Sequence, residues 1–185
     1  MSGYSESECR EDVLMLFHQM LHEGVQPDKV IFLSVLRACA CPMMLEQGYR
    51  IHSHIIAARV YQDAFVGSAL VDMYAKCGNL LFSRRVFDYL RTKDVVSWTA
   101  LIEGYNDQGH LEEALKFFEQ MHVEGIFPDA LTFTCIIKSC IGNSNKGHMM
   151  LVKISEHGLL KGNLSLCNTL VKIYLKYRLF SEAHQ

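Results

Sequence analysis

Cys39-x-Cys41 followed by His52-x-His54 places four side chains of metal-ligating type within sixteen residues. Zinc takes thiolates and imidazoles tetrahedrally, and structural sites space them C-x2–4-C and H-x3–5-H so that both members of a pair can turn toward one ion. Single-residue spacing within each pair suits that geometry poorly. Cys41 and both histidines also lack counterparts one long repeat further on, so no metal is expected. A second set is periodic: Asp28, Asp63, Asp94 and Asp129 lie 35, 31 and 35 residues apart, and Asn163 follows 34 later. A carboxylate that precedes a helical pattern accepts backbone N–H groups of the first turn, so helix capping is its simplest chemistry. Gly142 to Gly147 holds glycine and lysine but reads Lys146-Gly147, the reverse of a phosphate-binding loop, and it follows a helical pattern, not a strand. The nine histidines are scattered, and no Ser/His/Asp or Cys/His order stands out. No catalytic residue, cofactor or small-molecule substrate is therefore expected.

The elements that position these residues are helices. Half of the 185 residues are hydrophobic, mean hydropathy is +0.09, and only three prolines occur. No apolar run approaches the roughly 18 residues of a membrane-spanning helix, and no membrane partner is expected. A net charge of −2 shows no basic footprint of the kind that phosphate binding to duplex DNA demands. It leaves open a protein that reads bases in a groove with a neutral outer face. Seven cysteines, an odd number with several inside apolar helical patterns, fit reduced packing residues. Met1-Ser2-Gly3-Tyr4 opens neither a hydrophobic signal segment nor an Arg-rich transit peptide.

Sliding the chain by 101 positions aligns it with itself without a gap. Gly3, Tyr4, Glu11, Leu14, Phe17, Gln19, Met20, Glu23, Gly24, Pro27 and Asp28 meet Gly104, Tyr105, Glu112, Leu115, Phe118, Gln120, Met121, Glu124, Gly125, Pro128 and Asp129. A shift of 31 aligns Leu70, Tyr74, Gly78, Leu80 and Phe87 with Leu101, Tyr105, Gly109, Leu111 and Phe118. The long period thus divides into three units, each the length of a helical hairpin. Inside 95–129 the spacing is helical: Val96, Trp98, Leu101, Ile102 and Tyr105 form one face, and Leu111, Ala114, Leu115, Phe117, Phe118 and Met121 another. Gly109 separates the two helices, Gly125 fits the position after the second, and Pro128 marks the loop beyond. Ser83, Ala114 and Ala183 recur at one place in the second helix, where a small side chain lets paired helices approach closely. One hairpin cannot bury its apolar face alone, but stacked hairpins bury each other's. The expected fold is all-α, an α-solenoid of stacked antiparallel helix-turn-helix repeats that winds as a right-handed superhelix. Its first helices line a concave groove where function concentrates.

The segment 95–105, Val-Val-Ser-Trp-Thr-Ala-Leu-Ile-Glu-Gly-Tyr, continuing through Gly109, Glu112-Glu113-Ala114-Leu115, Phe118, Met121, Gly125 and Pro128-Asp129, resembles a pentatricopeptide repeat. The unit 64–94, with Tyr74-Ala75-Lys76-Cys77-Gly78, resembles the short variant of plant-type members. The unit 29–63, with Val35-Leu36-Arg37-Ala38-Cys39, resembles the long variant. That order is similar to the PLS subclass and divides the chain into a partial standard repeat 1–28, long 29–63, short 64–94, standard 95–129, long 130–163 and partial short 164–185. Ragged ends suggest a fragment of a longer array.

The resemblance implies single-stranded RNA binding, one nucleotide per repeat, as the recognition part of an organellar RNA editing or processing factor in a mitochondrion or chloroplast. Editing-factor proteins would be further partners. The fifth residue of a repeat's first helix and the repeat's last residue would read the base edge, and the second residue would pack on base faces. Those roles fall on Ser68 with Asp94 and Thr99 with Asp129, both favouring guanine, and on Thr134 with Asn163, favouring adenine. Leu33 with Asp63 shows no clear preference, because leucine cannot hydrogen-bond. Asp28 and Asn168 are half-pairs, Asn168 favouring a pyrimidine. The stacking positions are Val30, Phe65, Val96 and Leu131. Related arrays often end in a zinc-dependent cytidine deaminase, whose P-C-x-x-C does not occur here. The alternative is a helical scaffold for a protein partner, which Leu33 at a reading position favours.

Overall fold

The computed structural model describes residues 3–140, and side chains from 9 to 136. All regular structure among the described residues is helical. Eight α-helices follow one another: α1 (Gly3–His22), α2 (Lys29–Cys39), α3 (Leu45–Ala57), α4 (Ala64–Lys76), α5 (Leu80–Tyr89), α6 (Val95–Asp107), α7 (Leu111–Val123) and α8 (Ala130–Cys140). Short 3-10 turns at Pro42–Met44 and Val60–Gln62 introduce α3 and α4. No single described helix is long and apolar enough to cross a membrane.

The chain forms two compact units, Met1–Gly104 and Tyr105–Gln185. In the first, α2 packs on α3 and α4 packs on α5, so each such pair is a hairpin closed by a short turn. Across units, α2 packs on α1 before it and on α4, the first helix of the next hairpin. Phe17, Phe32, Leu36, Ile51, Ile55, Leu70, Met73 and Tyr74 fill the continuous core between them. Rings meet edge to face, as Phe17 does Phe32 at 6.0 Å and Trp98 does Phe87 at 4.6 Å. Close approach depends on small residues. A methyl group on Gly104 would stand 2.6 Å from Ala75 Cβ and 3.2 Å from its Cα, so only glycine lets α6 lie this near α4. Ser83 is fully buried and its hydroxyl donates to the Val71 carbonyl (3.0 Å), the close hairpin contact expected of a small residue there. In the second unit Ala114 is likewise buried, and Phe118 packs edge to face on Phe133. Ala183 lies outside the described residues.

Helix ends repeat one device. After α1, α4, α6 and α7 a glycine adopts positive φ: Gly24, Gly78, Gly109 and Gly125, at 75° to 81°. Each donates its N–H to the carbonyl three residues back, and the next residue donates to the carbonyl five back, as with Gly125 to His122 (3.0 Å) and Ile126 to Met121 (3.0 Å). After α3 the left-handed residue is Arg59, φ 58°. At the start of the chain the repeat alignment and the structure part company. Glu8 stands where Gly109 breaks the later unit, and α1 runs unbroken from Gly3 to His22. Without a residue suited to the left-handed region there is nothing to end the helix at that point.

Candidate nucleic-acid interface

The periodic aspartates cap helices. Asp28 accepts the Ile31 N–H (2.9 Å), Asp63 those of Phe65 (3.0 Å) and Val66 (3.3 Å), Asp94 that of Ser97 (2.8 Å) and Asp129 that of Thr132 (2.9 Å). At Asp94 and Asp129 the cap is reciprocal. The Asp94 N–H donates to Ser97 Oγ (3.0 Å) and the Asp129 N–H to Thr132 Oγ1 (3.3 Å). The sequence signal is an aspartate followed three residues later by serine or threonine, a capping box written with hydroxyls. It occurs at 94–97 and 129–132, and sequence reasoning passed over it.

In the unit 64–94 the capping carboxylate also meets the fifth residue of that unit's first helix. Ser68 Oγ lies 3.0 Å from Asp94 Oδ1 and 2.9 Å from the Ala64 carbonyl. A hydroxyl has one proton, so the two acceptors share it. Both the Ser97 N–H and the Ser68 hydroxyl fall on Oδ1, which leaves Oδ2 of the half-buried Asp94 as an acceptor. Ser68 and Thr99 are 2% and 4% exposed. They lie under their neighbours and do not stand open in a groove as the resemblance implied. A serine or threonine in a helix folds its hydroxyl back on the preceding turn, and Thr134 does the same to the Ala130 carbonyl (2.7 Å).

The second residue of each first helix behaves oppositely. Val30, Phe65, Val96 and Leu131 are 54% to 66% exposed. Large apolar side chains at this exposure, repeated at one register, leave apolar surface available to a flat apolar partner. Val96, grouped by spacing with the apolar face of its helix, stands outside that face. Trp98, Leu101 and Ile102 form it. Leu33 is half-buried and packs against the core. Asp63 differs from Asp94 in its partner: its Oδ2 lies 3.6 Å from the Lys29 ammonium. Nothing in the sequence pattern marked Lys29. Asn163 and Asn168, and the glycine-rich segment 142–147, lie outside the described residues.

The Cys/His set is structural. Cys77 Sγ reaches the carbonyls of Cys39 (3.2 Å) and Cys41 (3.1 Å), and His52 Nδ1 lies 2.9 Å from the Tyr74 hydroxyl. Burial, with Cys77 and Cys41 beside it, pushes the Cys39 thiol up to about 12, and burial lowers His52. Among the described residues no three His, Cys, Asp or Glu gather in a way that could hold a metal ion.

Comparison with known proteins bears on this architecture. Residues 93–142 match the PPR repeat family. The mitochondrial pentatricopeptide repeat-containing protein At3g02330 of Arabidopsis thaliana is 40% identical over 149 residues, covering 80% of this chain and 16% of that protein. The chloroplastic At4g25270 of the same plant is 35% identical over 176 residues, covering 95% of this chain and 33% of its own length. The chain therefore spans a third or less of these relatives. Among solved structures, the pentatricopeptide repeat protein PPR10 in complex with an 18-nt psaJ RNA element superimposes over 98% of this chain and 28% of its own, with TM-score 0.74 and 25% identity. The fold is thus an all-α repeat solenoid, and the chain belongs to the pentatricopeptide repeat family.

Proposed function

We propose that this chain binds single-stranded RNA, one nucleotide per helical hairpin, as a stretch of the recognition array of an organellar RNA editing or processing factor. The observation that carries the reading is a repeated pairing. An exposed apolar side chain stands second in each described first helix, and a capping carboxylate closes the units 29–63, 64–94 and 95–129. Val30, Phe65, Val96 and Leu131 are flat apolar contacts for base faces, and stacking on such platforms contributes about 1–3 kcal/mol per base when the platform is aromatic. Phe65 is the strongest of the four by that rule.

The base edge meets Asp94 through Oδ2, while Ser68 and the Ser97 N–H hold Oδ1. A carboxylate only accepts, so it favours guanine, whose Watson–Crick edge carries adjacent N–H donors. A base without donors there leaves the carboxylate unpaired beside phosphates. The resemblance assigns the same role to Thr99 with Asp129, an adenine-favouring one to Thr134 with Asn163, and a pyrimidine-favouring half-pair to Asn168. Asp28 closes the first, partial unit. The standard–long–short order supports the PLS subclass. The RNA-bound PPR10 and the mitochondrial and chloroplastic names of the relatives support RNA as ligand and an organelle as setting.

Asp94→Asn tests the reading, because asparagine keeps the cap and the shape but adds a donor. Binding to a panel of short RNAs that vary at one nucleotide should lose its preference for guanine and move toward adenine. The expected discrimination is about 1–3 kcal/mol for one well-paired base edge. Binding that ignores sequence before and after the substitution would refute the assignment.

A further inference from the structure

The unit 29–63 ends on the same carboxylate as the unit after it, but Leu33 occupies the position that holds Ser68, Thr99 and Thr134 elsewhere. Asp63 compensates differently. Its Oδ1 takes the backbone N–H groups of Phe65 and Val66, and its Oδ2 faces the ammonium of Lys29, the first residue of α2, at 3.6 Å. The Lys29 side chain is 56% exposed and that of Asp63 28%. An ion pair of this length at the surface is weak, and an ammonium has three N–H donors, so it can face Asp63 and a second anion together. Lysine presents a compact, hydrated charge on a flexible stem, which suits a phosphate better than the planar edge of a base. Without Lys29 nearby, the Asp63 carboxylate would oppose any polyanion that passed it.

We propose that Lys29 is the phosphate-binding residue of the unit 29–63: its ammonium neutralises Asp63 and grips the backbone of the bound strand, so this hairpin adds affinity without reading a base. The inference rests on the RNA-binding reading above and adds a residue and a ligand group to it.

The test measures Lys29→Gln against the unsubstituted chain with labelled homopolymeric RNAs over a range of salt concentrations. Arg50→Gln is the control, since it removes an equal charge from the exposed Arg50–Glu46 pair on α3. Loss of one phosphate contact should flatten the slope of log affinity against log salt by about 0.7, or about five-fold weaker binding at ~0.1 M salt, equally for every sequence. The control should leave the slope unchanged. Three results overturn the proposal: an unchanged slope for Lys29→Gln, a loss confined to one base, or an equal loss for Arg50→Gln. If the unsubstituted chain binds no RNA, the broader reading fails, and that outcome is distinct from an intact binder that ignores Lys29.

Discussion

Two successive hairpins, 29–63 and 64–94, share a plan and differ in how they treat their closing aspartate. In the later one Asp94 is gripped by a buried serine hydroxyl and by Ser97, all neutral donors to one oxygen. In the earlier one the equivalent of that serine is Leu33, packed against the core, and the second oxygen of Asp63 meets an exposed lysine. The ends of their second helices differ too. One hairpin leaves α3 through the left-handed Arg59, whereas α5 ends at Tyr89 without a left-handed residue. The same backbone architecture therefore carries two kinds of surface. One holds a carboxylate by neutral donors, and the other balances its charge. Helix packing sets the fold of both, while one or two side chains per hairpin set what it offers a ligand.

Exchanging the fifth-position residues should break the comparison most severely. Ser68→Leu forces a branched side chain into a site that is 2% exposed. Overpacking there should cost about 1–3 kcal/mol, seen as a lower denaturation midpoint. Leu33→Ser gives up part of a half-buried apolar contact, and about 1–2 kcal/mol is expected from its incomplete burial. It should not create a base preference at that hairpin, because Lys29 still engages Asp63. The caps come next. Asp94→Ala removes bonds from Ser97 and Ser68 and should cost about 1–2 kcal/mol, whereas Asp28→Ala, which frees the single N–H of Ile31 in an exposed position, should cost about 0.5–1 kcal/mol by chemical denaturation. The smallest effects lie at the helix ends. Arg59→Gly relieves a left-handed residue and should raise stability by up to about 1 kcal/mol. Gly78→Ala, at φ 81°, should lower it by about the same amount in thermal melts.

Much of the fold was legible because its signals are local and repeated. The 101-residue self-alignment, the i, i+3, i+4 apolar spacing and the glycine after a helix each depend on a few neighbouring residues, so a pattern in the chain becomes a pattern in space. The aspartates were legible as caps for the same reason: the N–H groups they accept lie two or three residues away. The first segment shows the limit of alignment. Gly3 and Tyr4 match Gly104 and Tyr105, yet Glu8 in place of Gly109 lets one helix run through where the later unit turns. The candidate site was legible only in outline. The resemblance named Ser68 and Asp94, and the structure brings them within 3.0 Å across 26 residues of chain. It also buries the serine, which a periodic pattern of polar residues does not reveal.

By itself the sequence determined that the chain is helical, where most helices after the first start and stop, and which residues recur once per hairpin, since all three follow from short-range backbone hydrogen bonding and side-chain periodicity. Tertiary structure alone decided that Ser68 meets Asp94, that Gly104 must be glycine against Ala75, and that Lys29 reaches Asp63. Those facts depend on how close residues 26 to 34 positions apart come when hairpins stack. Packing sets that distance, and spacing along the chain does not encode it.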